Sequence, residues 1–176
     1  MRIFTAIPLP EEVRDKVGEI TRNRLPVSYI NPTNLHLTLN FFGEIKEDQL
    51  GKIKTLLPDL IKSEKPVEIG FEKLVKFRNQ VHLTIRQNPE LLGLQKNLEH
   101  GFLNLGFKFQ ERPYYPHVKL TNLHMDKIMH QERKLEHFPN QQLGQLTFLA
   151  DRIVLYESKL LLHHSKHVVL KEYKFQ

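Results

Sequence analysis

The sequence predicts an α+β fold of two pseudo-symmetric lobes, each a mainly antiparallel sheet with outer helices, around a central groove. Three observations carry that reading. Stretches of strand character alternate with stretches whose apolar residues recur every three or four positions. A strand–helix–strand unit occurs twice along the chain. The 176 residues are 40% hydrophobic and 26% charged, an ordinary globular balance, and a chain of this length buries roughly 70% of its unfolded surface. No linker, low-complexity run or charge block divides residues 1–176, so one bilobal domain is expected.

Composition narrows the function. The absence of cysteine removes disulfides, thiolate nucleophiles, zinc ribbons and iron–sulfur clusters together. No apolar run reaches the ~18 residues that a membrane span needs. The opening MRIFTAIPLPEEVRDK turns acidic and helical too early for a signal peptide. A soluble, cytoplasmic protein is expected. Lys plus Arg less Asp plus Glu is 26 − 20 = +6, which favours an anionic partner.

In chain order, Arg2–Leu9 reads as a strand closed by prolines. A helix follows, with Pro10 at its start, Glu11 and Glu12 in its first turn, and Val13, Val17 and Ile20 on one face. The stretch from Pro26 to Pro32 is a loop. Leu35–Phe42 is a strand ended by Gly43. Leu50, Ile53, Leu57 and Leu60 mark a second helix with Asp48 as its expected cap, and Pro58 is expected to kink or shorten it. Val67–Phe77 and Gln80–Arg86 are strands joined tightly at Arg78–Asn79. A third helix carries Leu91, Leu94, Leu98 and Phe102 and ends at Gly106. His117–Leu123 is a strand, Met125–Phe138 a weak helix or loop, and Gln145–Glu157 and His167–Phe175 the closing strands.

The segment from Ile3 and the segment from Val81 overlay without a gap, each a strand running into a proline-started helix and then a second strand. Ile3 and Val81 are 78 residues apart, and His36 and His117, each in the second strand of its copy, are 81 apart. Duplicated units pack about a pseudo-twofold axis, so His36 and His117 become an equivalent pair across the groove. The repeat also chooses among three His-x-Thr/Ser matches: His36–Thr38, His82–Thr84 and His163–Ser165. His82 falls opposite Phe4 on the strand before the helix, so it is expected to belong to the sheet and to stay outside the groove. His163–Ser165 lies in HHSKH, expected to be an exposed loop. His163, His164 and His167 lack companion carboxylates at ligand spacing, so no metal is expected.

On their strands, His36 shares a face with Thr38, and His117 with Lys119 and Thr121, while Leu35, Leu37 and Leu39 point into the core. Two facing imidazoles suit displacement at phosphorus near neutral pH, one accepting a proton while the other donates one. Thr38 and Lys119 would hold the non-bridging oxygens, and cationic side chains would supply charge stabilisation without a metal. From the residues alone, either histidine can be the acid.

These motifs resemble those of the two-histidine (2H) phosphoesterases, specifically the bacterial RNA 2′,3′-cyclic phosphodiesterases also called 2′-5′ RNA ligases. The resemblance runs from RIFTAIPLP through NLHLTLNFFGEI to RPYYPHVKL. Its first motif is matched closely by His36, Thr38 and the following Phe41, Phe42 and Gly43. Its second keeps the lead of Arg112, Pro113 and Pro116 before His117, but Lys119 stands where a second threonine belongs, and Asn122 where an arginine is common. The resemblance implies cofactor-free hydrolysis of terminal 2′,3′-cyclic phosphates on RNA or nucleotides to 2′-phosphomonoesters. It makes His117 the proton acceptor and His36 the donor, with Thr38, Lys119 and Arg112 binding substrate, in a monomer with no membrane contact. Reverse 2′-5′ ligation is the same transition state approached from the other side. The rival readings are a phosphodiesterase for another small cyclic phosphate and a non-catalytic RNA-binding protein that keeps the groove.

Overall fold

A computed structural model describes residues 1–22, 32–123, 133–161 and 165–176. Its elements are β1 (Arg2–Pro8), α1 (Glu11–Thr21), a 3₁₀ turn (Pro32–Asn34), β2 (His36–Glu44), α2 (Glu47–Ile61), β3 (Val67–Phe77), β4 (Gln80–Ile85), α3 (Pro89–Asn104), β5 (His117–Asn122), α4 (Gln141–Gly144), β6 (Thr147–Ala150), β7 (Arg152–Leu160) and β8 (Ser165–Lys174). The eight strands lie in the order β6-β3-β4-β5-β2-β1-β7-β8, with each neighbouring pair antiparallel. An α+β fold of two half-sheets results, and its midline is the contact between β2 and β5.

The two halves are not contiguous in sequence. The first repeat supplies β1, α1 and β2, yet the next strand, β3, pairs with β4 of the second repeat. The second repeat supplies β4, α3 and β5, yet β7 pairs with β1 of the first. The half built on the first repeat therefore takes both outer strands, β7 and β8, from the chain after the second, whereas the half built on the second takes β3 from the chain after the first and β6 from the chain that follows itself. At the midline Leu37 pairs with Val118, and both side chains are fully buried. Period-two alternation buries Leu35, Leu37 and Leu39, which leaves His36 and Thr38 on the opposite face.

The helices cover the apolar face. In α1, Val13 and Val17 are buried; in α2, Leu50, Ile53, Leu57 and Ile61; in α3, Leu91, Leu94, Leu98 and Phe102. Helices α2 and α3 approach closely at Gly101, where a Cβ would stand 2.6 Å from Leu60 Cδ2. Gly106 ends the α3 segment at φ +87°, a left-handed conformation. Two local expectations are corrected. The N-cap of α2 is Lys46, whose N–H donates to Gln49 Oε1 at 3.0 Å, and Asp48 lies inside the first turn. Nor does Pro58 shorten the helix, which continues to Ile61. An interior proline costs about 3 kcal/mol, and burying Leu57 and Ile61 is worth about 3–6 kcal/mol together, so packing offsets it.

The chain from Gln145 divides at Asp151 into β6 and β7, which lie in opposite halves of the sheet. Of the segment Met125–Phe138, residues 125–132 lie outside the described residues, and 133–136 form a helical turn. His163 and His164 also lie outside them, while Ser165 opens β8. Among the described residues no helix is long and apolar enough to cross a membrane.

Candidate active site

The seam between β2 and β5 sets the geometry. Since Leu37 pairs antiparallel with Val118, the neighbouring positions fall as His36 beside Lys119 and Thr38 beside His117. The two motifs interlock, each histidine meeting the polar residue of the other motif. Thr38, His117 and Arg112 line one open cleft of about 1150 Å³, together with His82, Phe77 and Tyr115. His36, on the same strand and face as Thr38, is not among the residues lining that cleft, but it lies near enough to His117 and Lys119 for their charges to act on it.

Both imidazoles are oriented in the same way. His36 Nδ1 lies 2.6 Å from the Asn34 carbonyl oxygen, and His117 Nδ1 lies 2.7 Å from that of Tyr115. A carbonyl only accepts, so each Nδ1 carries the hydrogen and donates it. Each Nε2 then keeps a lone pair in the neutral ring, as proton exchange requires. Tyr114 fastens the segment before β5 to the seam by donating from its hydroxyl to the Thr38 carbonyl at 2.7 Å. The Thr38 hydroxyl has no hydrogen-bond partner among the described residues. Thr84, in the rejected His82-x-Thr84 match, is buried and fully engaged: Oγ1 lies 3.1 Å from the Lys73 carbonyl and 3.2 Å from both Glu72 Oε2 and the Lys73 N–H.

The surroundings of the two rings differ. Phe4 packs on His36 with centroids 4.9 Å apart, His167 meets it edge-on at 4.9 Å, and Tyr156 lies at 5.9 Å. His117 stacks with His82, at 3.9 Å and 12° from parallel, and has Tyr115 at 5.8 Å and 29°. His82 is therefore not outside the groove, contrary to expectation. Its place opposite Phe4 holds, but Phe4 itself lies against His36, so each of the two positions packs on the histidine of the adjoining strand. The sequence reading also missed His167 and Tyr156, which come from β8 and β7. His167 belonged to the HHSKH stretch set aside there, and no short-range signal tied it to His36.

Burial is the main cause lowering the pKa of every histidine in this cluster, because it penalises the charged ring. His36 falls to about 4, with the charges of His167, His117 and Lys119 adding to the effect and the Asn34 carbonyl opposing it. His82 also falls to about 4, through burial, then His117 and Lys119. His117 is lowered by burial, supported by its bond to Tyr115, and lowered further by Arg112 and Lys119. His167 is lowered by burial and by Lys119. The Lys119 ammonium thus acts on all four rings, and burial lowers its own pKa. These shifts all favour the neutral ring, and a negative charge brought near any of the four would favour its protonated form. Among the described residues, no group of three or more His, Asp or Glu side chains is arranged to hold a metal ion.

The profile of the 2′-5′ RNA ligase superfamily matches residues 9–160. The RNA 2′,3′-cyclic phosphodiesterase of Methanocaldococcus jannaschii is 28% identical, covering 98% of this chain and 100% of its own. The enzyme of the same name from Methanothermobacter thermautotrophicus is 33% identical, covering 67% of this chain and 68% of its own. Among solved structures, that of a Thermus thermophilus protein superposes with a TM-score of 0.80 at 24% identity, covering 99% of this chain and 98% of the other.

Proposed function

This chain belongs to the 2′-5′ RNA ligase superfamily, and from that premise we propose that it hydrolyses terminal 2′,3′-cyclic phosphates on RNA, leaving a 2′-phosphomonoester. The observation that carries the reading is the matched pair of imidazoles on adjoining strands, each with Nδ1 tied to a carbonyl and Nε2 left for proton exchange.

In the reaction, His117 Nε2 takes a proton from water as the water oxygen bonds to phosphorus. The P–O3′ bond breaks, and His36 Nε2 delivers its proton to O3′. The products are a 2′-phosphate and a 3′-hydroxyl, and exchange with solvent resets both rings. Arg112 and Lys119 disfavour the imidazolium at His117, which suits a base. The more deeply depressed His36 needs a nearby negative charge to hold its proton, and the phosphodiester brings one. Thr38 and Lys119 would donate to the non-bridging oxygens and Arg112 would neutralise the phosphate. His36–Thr38 and His117–Lys119 are thus read as one unit within a single domain spanning the chain, acting as a cytoplasmic monomer.

An RNA end fits the cleft better than a lone nucleotide. Its volume of about 1150 Å³ exceeds the roughly 300–1,000 Å³ typical of small-molecule pockets. Phe77, Arg78, Arg112 and Tyr115 on its walls combine stacking faces with positive charge, as single-stranded nucleic acid requires. The test is incubation with an oligoribonucleotide ending in a 2′,3′-cyclic phosphate, with EDTA present, and identification of the product isomer. A 2′-phosphate is expected. A 3′-phosphate, or no turnover of any cyclic phosphate, would overturn the reading.

A further inference from the structure

We propose that His82 is a positioning residue for His117, its ring plane clamping the facing imidazole so that Nε2 is presented to the phosphate. The inference rests on the phosphodiesterase reading for the role of His117. The geometry of His82 stands independently of it.

The contact is a parallel stack at 3.9 Å and 12°, the closest ring pair among the described residues. The hydrogen bond from Nδ1 to the Tyr115 carbonyl leaves the His117 ring able to swing about that anchor, and a flat surface against one face removes this freedom. The stack continues: Phe77 lies on His82 at 5.3 Å and 26°, and the Arg78 guanidinium lies 5.5 Å from the Phe77 ring. Arg78 takes φ 54° at the β3–β4 turn, a conformation that L side chains rarely adopt. A column from the hairpin tip thus ends on His117. In the other half the same device is apolar, with Phe4 on His36 and Tyr156 stacked on Phe4 at 5.1 Å and 16°.

His82 is poorly placed to relay a proton. Its Nε2 lies 2.8 Å from Gln80 Oε1, so Nε2 carries the hydrogen, and its Nδ1 is buried without a partner. A proton added to Nδ1 would be a buried donor with nothing to receive it. Burial acts in the same direction. The ring remains neutral and adds no charge against the proton that His117 takes up. The groups facing His117 are His82 and Thr84 from β4, Lys119 on its own strand, Thr38 and His36 from β2, and Arg112 and Tyr115 before β5. Glu72 of β3 reaches this set through Thr84.

Two variants separate stacking from space-filling: His82→Phe keeps a flat ring, and His82→Leu fills the volume without one. For His82→Leu, kcat on the cyclic-phosphate oligonucleotide should fall roughly 10- to 100-fold with KM changed only a few-fold, because misplacing a reacting group by about 1 Å costs on that order. His82→Phe should stay within about fivefold of wild type. Nitrogen-detected NMR of the His117 ring gives a readout without substrate. The Nδ1–H tautomer should persist in His82→Phe and become mixed in His82→Leu, with the titration moving up towards the ordinary histidine value as water reaches the ring. Wild-type kinetics and an unaltered His117 spectrum in His82→Leu would overturn the proposal. So would a folded His82→Phe as slow as His82→Leu, since the nitrogens would then matter rather than the plane. If the wild type turns over no cyclic phosphate, the functional reading fails, and the NMR comparison still decides the role of His82.

Discussion

The two halves present the same histidine in different settings. Both His36 and His117 open a strand beside the seam, and both donate from Nδ1 to the carbonyl two residues earlier. Around His36 the neighbours are Phe4, Tyr156 and an edge-on His167; around His117 they are His82, Tyr115 and the charge of Arg112, while the charge of Lys119 acts on both. The registers differ too, with Pro8 opposite His36 but Thr84 opposite His117. The two copies therefore share the backbone device that orients the ring and differ in its environment. Under the proposed mechanism this matters, because two identical histidines in identical settings cannot favour opposite protonation states.

The largest expected effect comes from breaking both sides. His36→Ala and His117→Ala should each lose about 10²–10⁴-fold in kcat, the contribution of one positioned proton transfer. The double variant should be little slower than the slower single one, because the two act as a unit. Multiplicative losses in steady-state assays would show instead that the halves work separately.

Changing the departure from symmetry should have a smaller effect. Lys119→Thr gives both strands the same His-x-Thr pattern and removes the charge acting on all four rings. KM for an anionic substrate should rise severalfold and its salt dependence should weaken, with chemistry continuing, because a hydroxyl still donates to phosphate. Lys119→Glu should be far worse. Kinetics at two salt concentrations would check this, and unchanged values in Lys119→Glu would remove Lys119 from the site.

Acid stability tests the buried side of the comparison. The folded-state pKa of His82, about 4, lies below the unfolded value of 6.5, so the unfolded chain binds the proton more readily. Its contribution is complete above about pH 6.5 and is lost as pH falls towards 4. The loss attributable to this residue is at most ~3 kcal/mol. Denaturant titrations between pH 7 and 4 should show a flatter decline in His82→Phe than in wild type, and equal slopes would refute the assignment. The smallest effect belongs to His167→Phe. It removes a charge that lowers His36, so the His36 titration followed by NMR should move up while its ring stays in place.

Much of this site was legible because its logic is short-range or repeated. The alternation of Leu35, Leu37 and Leu39 oriented His36 and Thr38, and the repeat singled out His117. The hairpin from Val67 to Arg78–Asn79 was visible in its turn. What escaped depends on pairing at a distance. Nothing local states that β3 and β7 change partners between the halves, so Tyr156 and His167 could not be brought to His36 from sequence. His82 was aligned correctly with Phe4 and then misjudged, because a sheet position next to the seam is itself a groove position when the neighbouring strand carries a protruding ring. The Asp48 cap failed for a simpler reason: Gln49, one residue later, reaches the Lys46 N–H and sets the helix start earlier.

The central claim, that the halves hold opposite proton-transfer roles, is tested most directly by changing the leaving atom. In a cyclic phosphate whose 3′-oxygen is replaced by sulfur, the leaving thiolate needs no proton. Rates of His36→Ala and His117→Ala on this substrate and on its oxygen counterpart should separate the roles. The account predicts that His36→Ala recovers most of its lost rate with the sulfur substrate while His117→Ala does not. Recovery in His117→Ala alone would reverse the assignment, and recovery in neither would contradict acid–base catalysis by this pair.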